Sequence, residues 1–141
     1  MASAVSFVDD LCSYIADKTD FYYGGNNTLP VGKTRWLKAG EIQRDLDGVY
    51  AVTNPARPPD PETGVMYFGV TFWAVNSSTE QADRDLQTIY ELFYMNHDFT
   101  TDNFYVFQSF FEGQIADRDR TTENLKLMNL SAIFYCRYLI S

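Results

Sequence analysis

The run Val65–Val75 is apolar on both faces of an extended chain. Val65, Tyr67, Thr71, Trp73 and Val75 alternate with Met66, Phe68, Val70, Phe72 and Ala74. Successive side chains of a strand point to opposite faces. A strand of this composition therefore lies centrally in a sheet, or carries an interface on one face. A helix follows almost at once, from about Thr79 to Tyr94. Ser78 is placed to cap it, and Gln81 three residues later can complete a capping box. Ala82, Leu86, Ile89 and Phe93 mark its buried stripe, which Tyr90, Leu92 and Tyr94 widen towards a second apolar contact.

The remaining elements arrange themselves around this pair. Val5, Val8, Leu11, Cys12 and Ile15 recur at helical spacing and predict a first helix over about Ser3–Asp17, with Asp9 and Asp10 on its wet side. Phe21–Tyr23 reads as a short strand ended by Gly24, Gly25, Asn26 and Asn27. From Leu29 to Asp47 apolar and basic residues alternate irregularly, which predicts a long, partly ordered connection with room for a helical turn. Strands are expected at Gly48–Thr53, Phe104–Glu112 and Leu125–Ile140, the last unusually long. Between the strands at Gly48–Thr53 and Val65–Val75, the segment Asn54–Gly64 holds Pro55, Pro58, Pro59 and Pro61 and reads as an exposed loop. The expected fold class is α+β: one domain, two principal helices packed on a mainly antiparallel sheet of four or five strands.

Composition narrows the function classes. The 141 residues include 10 Tyr, 11 Phe and 2 Trp, more rings than one core of this size hides; several are expected at the surface in protein contacts, the alternative being a Phe-rich core with Tyr at its edges. Net charge is −8, and the 11 Lys and Arg are scattered, which argues against tight nucleic-acid binding through phosphates. An acidic surface is still compatible with lining a passage for DNA, because like charge keeps the duplex from sticking. Cys12 and Cys136 match no metal spacing and are expected as buried thiols. No apolar stretch reaches the length of a membrane span, and Met1–Phe7 lacks the pattern of a secretory signal, so the sequons at Asn26, Asn76 and Asn129 read as chance.

Catalytic constellations are weak. Gly32-Lys33-Thr34 imitates the end of a phosphate-binding loop, but the position five before that glycine is Asn27, and the segment follows no long buried strand. His97, in Asn96-His97-Asp98, sits where a charge favourable to a helix C-terminus belongs, and no nucleophile accompanies it. The carboxylate pairs Asp9/Asp10, Asp98/Asp102 and Asp117/Asp119 lack the converging oxygens and turn glycines of a metal site. The expectation is a protein with no catalytic, cofactor-binding or metal-binding residues, and no cofactor.

The layout resembles the tail terminator (minor capsid, tail-completion) family of long-tailed bacteriophages. The resemblance covers nearly the whole chain and rests on pattern: an amphipathic first helix, a short strand and turn at Phe21–Gly25, then Val65–Val75 leading into the Ser78–Tyr94 helix with Ile89-Tyr90-Glu91-Leu92. It ends on a strand with Gln108, a charged turn, and Leu125–Tyr135, in which Asn129 sits in an alternating apolar run. The resemblance implies a virion structural protein of the neck, assembled in the host cytoplasm. Such proteins form a homo-oligomeric ring, commonly of six subunits, at the head-proximal end of the tail tube. The ring ends polymerisation of the tube protein, offers a surface to the head-completion (stopper) protein, and lets viral DNA pass without specific binding. No membrane partner is implied.

Two exposed segments flanked by strands are the candidate partner contacts. One is the proline loop with Pro58 and Pro59; the other is the turn Asp117-Arg118-Asp119-Arg120, which reads either as a self-neutralising hairpin tip or as a docking loop whose alternating charges suit register between subunits. Two other readings fit the same residues. One is a different neck component, a head-closure or tail-tube protein. The other is a small ligand-binding α+β domain with polar groups such as His97, Asp98 and Asp102 at the base of an aromatic pocket.

Overall fold

The computed structural model describes residues 4–25, 28–40, 47–53, 60–94, 98–117 and 126–139, with side chains left out at 4–6, 112–117, 126 and 127. In chain order the elements are α1 (Ala4–Lys18), β1 (Phe21–Tyr22), β2 (Arg35–Ala39), β3 (Gly48–Thr53), β4 (Met66–Asn76), α2 (Thr79–Tyr94), β5 (Phe99–Thr100), β6 (Phe104–Asp117) and β7 (Lys126–Tyr138).

These strands make one seven-stranded sheet in the order β1-β2-β3-β4-β7-β6-β5. The pairs β1–β2 and β2–β3 are parallel and all others antiparallel. This corrects the expectation of four or five mainly antiparallel strands: the sheet is mixed, and it gains β2 and β5. The missed β2 lies inside the stretch read as an irregular connection. Its inward positions are Arg35, Leu37 and Ala39, and Arg35 points in because Asp85 of α2 waits for it, so no apolar alternation is visible. At two residues, β5 is too short to carry a periodic signal.

β4 and β7 form the axis of the sheet, pairing without interruption from Met66↔Cys136 to Asn76↔Lys126. One face is dry. Val49, Ala51, Phe68, Val70, Phe72, Leu130, Ala132 and Phe134 pack there against Phe7, Leu11 and Ile15 of α1 and against Leu86, Ile89 and Phe93 of α2, all in one core. Phe7 stacks on Phe68 with ring centroids 4.5 Å apart and lies 5.7 Å from Phe134, which Phe93 meets edge-on at 5.2 Å. Both helices therefore cover the same side of the sheet. Close approach of β2 and β3 depends on Gly48: a Cβ there would stand 2.8 Å from the Trp36 carbonyl oxygen.

The entry to α2 differs from the expected capping box in one partner. The Ser78 hydroxyl accepts from the Gln81 N–H at 3.3 Å, as expected. The Ser78 N–H, however, donates to the side chain of Asn76 at 2.9 Å, while the Gln81 amide donates to Asp85 at 2.8 Å. The last residue of β4 thus completes the cap and fixes the strand-to-helix turn.

Candidate interaction surface

The far face of the sheet carries no described helix. Because strand side chains alternate, the residues opposite the core set lie on it: Tyr22, Trp36 and Lys38 at one end, Tyr50, Trp73 and Val75 next, then Tyr67, Ile133 and Tyr135, and Tyr105, Phe107 and Phe110 at the other end. Tyr50 and Val75 are buried, with Trp73 against them. The β4–β7–β6 portion is more open: Tyr67, Ile133, Tyr135 and Phe107 are half-buried, and Phe110 is 47% exposed.

The rings on this face are ordered against one another. Tyr67 and Tyr135 sit directly across β4–β7 at 5.4 Å, and Phe110 meets Tyr135 edge-on at 5.7 Å. Thr71 and Ser131 share a hydroxyl–hydroxyl hydrogen bond of 3.2 Å. A cation lies over a ring at each end: Lys38 is 4.7 Å from the Trp36 centroid, and the Arg137 guanidinium is 5.5 Å from Phe107. Phe107 is the extra residue of a bulge between Val106 and Gln108, which keeps it on the same side as Tyr105. The surface that results is aromatic and carries hydroxyls, a composition suited to contact with protein.

The sequence motifs have structural occupations. Lys33 reaches back to the end of α1, donating to the carbonyls of Ala16 at 2.7 Å and Thr19 at 3.0 Å, and Thr34 donates to Asp20 at 2.7 Å. Gly32, at φ +88°, supplies the left-handed turn that aims the lysine there. The apparent phosphate loop is a C-terminal cap for α1. Asp9 and Asp10 are more than a solvated pair. Asp9 accepts from the Tyr23 hydroxyl, and burial followed by that bond pushes the Tyr23 phenol up. Asp10 accepts from the Thr101 hydroxyl and the Asn103 N–H, both at 2.9 Å, and from the Asn103 amide, tying α1 to the β5–β6 turn.

Of the residues suspected for a pocket, Asp98 and Asp102 are not gathered. Asp98 accepts from Tyr105 at 2.9 Å, whereas Asp102 lines a separate open groove with Asp10, Asp17 and Thr101. His97 lies outside the described residues, as do Pro58, Pro59, Arg118, Asp119 and Arg120; Asp117 is described only as the end of β6, paired with Met128. Cys12 and Cys136 are free and buried, and burial pushes the Cys136 thiol up to about 12. Among the described residues, the most deeply placed charge is one that sequence periodicity does not single out. Asp85 of α2, its side chain 7% exposed, faces the Arg35 guanidinium at 3.4 Å. Burial raises its pKa, against the opposing pull of Gln81 and Arg35.

Among the described residues no group of three or more His, Cys, Asp and Glu could hold a metal ion, and no helix is long and apolar enough to cross a membrane. No protein-family model matches the chain, and no curated protein matches it.

Proposed function

We propose that this chain is a structural protein of a long-tailed phage. In this reading it assembles as a ring of about six copies at the head-proximal end of the tail tube. There it ends tube polymerisation and presents a surface to the head-completion protein. The observation that carries the reading is the two-sided sheet. One face is closed by both helices, while the other holds an ordered aromatic surface with Phe110 exposed at 47%. Aromatic residues are enriched at the buried centres of protein interfaces. Among the described residues the patch lacks the convergent polar groups of a ligand site, and β4, apolar on both faces, gains its second cover from a neighbouring subunit. With a net charge of −8 on each copy, the ring repels DNA enough to let it slide.

Interrupting the gene in the phage that encodes it tests the reading. Tails that overrun their normal length and stay unattached to heads are expected. Tails of normal length joined to filled heads would rule the role out.

A further inference from the structure

Ser109 of β6 is 7% exposed, and its hydroxyl is buried with no hydrogen-bond partner. The other buried polar atoms in that condition, Arg35 Nε and Asp85 Oδ2, at least face each other as an ion pair. A buried hydroxyl left unpaired destabilises a fold, so the orphan calls for a partner. Its neighbour across β7 is Phe134, which has no hydroxyl to offer. On the other side β5 pairs only with Tyr105 and Val106, and among the described residues no strand meets β6 beyond them. From Gln108 to Glu112 β6 runs in regular register with β7, so alternate residues direct their N–H and C=O groups to that open side. Gln108–Phe111 contains neither a charged residue nor proline, two devices that keep an open edge from pairing. Beside this edge the end of α2 leaves an open cleft of about 160 Å³. Tyr90, Phe93 and Tyr94 line it from the helix, Ser109 and Phe111 from the strand. The volume suits about one aromatic or branched aliphatic side chain.

We propose that the open edge of β6 is a strand-addition site for an extended segment of a different protein, with a threonine opposite Ser109 and a large apolar residue two positions away in the cleft. The placement follows from the pleat. A residue registered opposite Ser109 points to the same side of the sheet, towards α2, and so does the residue two positions on. The sheet already holds one such pair: Thr71 and Ser131, directly across β4–β7, share their hydroxyl bond of 3.2 Å. An incoming threonine gives Ser109 the partner that Phe134 cannot. The opposite sheet edge of a second copy would bring Arg35, Leu37 and Ala39 to that side, and no hydroxyl. Main-chain bonds along β6 supply the affinity, and the hydroxyl and the cleft select the segment. The site goes beyond the ring reading and does not depend on it.

A fluorescein-labelled peptide, Lys-Val-Thr-Val-Leu-Val-Lys, titrated with the full chain and followed by anisotropy, tests this. Saturable binding is expected. Replacing the peptide's threonine by valine should weaken it about fivefold or more. Ser109→Ala should weaken binding of the threonine peptide to the same level and abolish its advantage over the valine peptide. Of two peptides N-methylated at alternate residues, the one blocked on the side facing β6 should lose binding and the other keep it. Because the Ser109 hydroxyl is unpaired in the free chain, Ser109→Ala should leave its melting temperature unchanged or raised, which separates lost binding from lost fold. No binding up to about millimolar concentration would overturn the proposal. So would a preference for threonine that survives in Ser109→Ala, or equal binding of both methylated peptides. A chain that dimerises by itself and is dispersed by the peptide would assign the edge to a second copy and overturn it as well.

Discussion

Arg35 of β2 and Asp85 of α2 face each other at 3.4 Å on the dry side of the sheet, and through them a parallel strand near the sheet edge is fastened to the second helix. Two forces oppose one another at this pair. Burial disfavours the Asp85 carboxylate, while Gln81 and Arg35 favour it, and burial is the larger, so the folded-state pKa lies above the ordinary carboxylate value. A raised folded pKa means that the folded chain holds this proton more tightly than the unfolded one. The stabilisation is fully present below the unfolded pKa of about 4 and is lost as pH rises through the folded value. Asp85→Asn should therefore flatten the fall in melting temperature on the alkaline side of about pH 4, read from thermal unfolding across a pH series. An unchanged slope would show that Asp85 titrates as an ordinary surface acid.

Removing the other partner gives a complementary result. Arg35→Ala leaves a buried carboxylate without its cation and should cost about 2 kcal/mol near neutral pH, with a smaller loss in mild acid where Asp85 takes up a proton. Urea unfolding at two pH values measures the difference.

Asp10 is the hinge pin between the N-terminal helix and the last strands in sequence. Its carboxylate accepts from Thr101 and from both nitrogens of Asn103. Asp10→Ala should lower unfolding free energy by about 2 kcal/mol, since buried Thr101 loses an acceptor and the turn loses its tie. Amide exchange should accelerate first at Thr101–Phe104. Faster exchange spread evenly over the sheet would mean that the tie is not local.

Phe7 touches three rings, stacking on Phe68 and meeting Phe104 at 5.2 Å and Phe134 at 5.7 Å. Phe7→Ala opens a cavity in the part of the core that joins α1 to β4, β6 and β7, and should cost about 3–5 kcal/mol. Phe7→Leu should recover most of that loss.

Lys33 distinguishes a cap from a phosphate site. Lys33→Met removes two hydrogen bonds to the end of α1 and should cost about 1 kcal/mol. Titration calorimetry with ATP or inorganic phosphate should give no heat of binding for either form. A phosphate affinity that disappears in Lys33→Met would contradict the capping role.

What could be read from the sequence followed from where periodicity survives. Both helices lie within a residue or two of their expected ends, because their stripes are mainly apolar: Val8, Leu11, Cys12 and Ile15 in one, and Ala82, Leu86, Ile89 and Phe93 in the other, where Asp85 is the charged exception. β4 and β7 were visible for the same reason. β2 was hidden because a core-facing position holds Arg35, which makes sense only when Asp85 is known to be its partner fifty residues away in sequence. The parallel pairing of β1, β2 and β3 was equally hidden, since nothing local in a strand records its neighbour's direction. The aromatic face was half legible: the excess of rings pointed to rings outside the core, but which of them share a face appears only once the strands are in register.

The most direct measurement is electron microscopy of the purified, unaltered chain, with its mass followed by sedimentation over a concentration series. The account predicts closed rings with an open centre and a mass near six copies, in equilibrium with single chains and with no intermediate that stops at two. A chain that remains single at about millimolar concentration, or that pairs and goes no further, would contradict it.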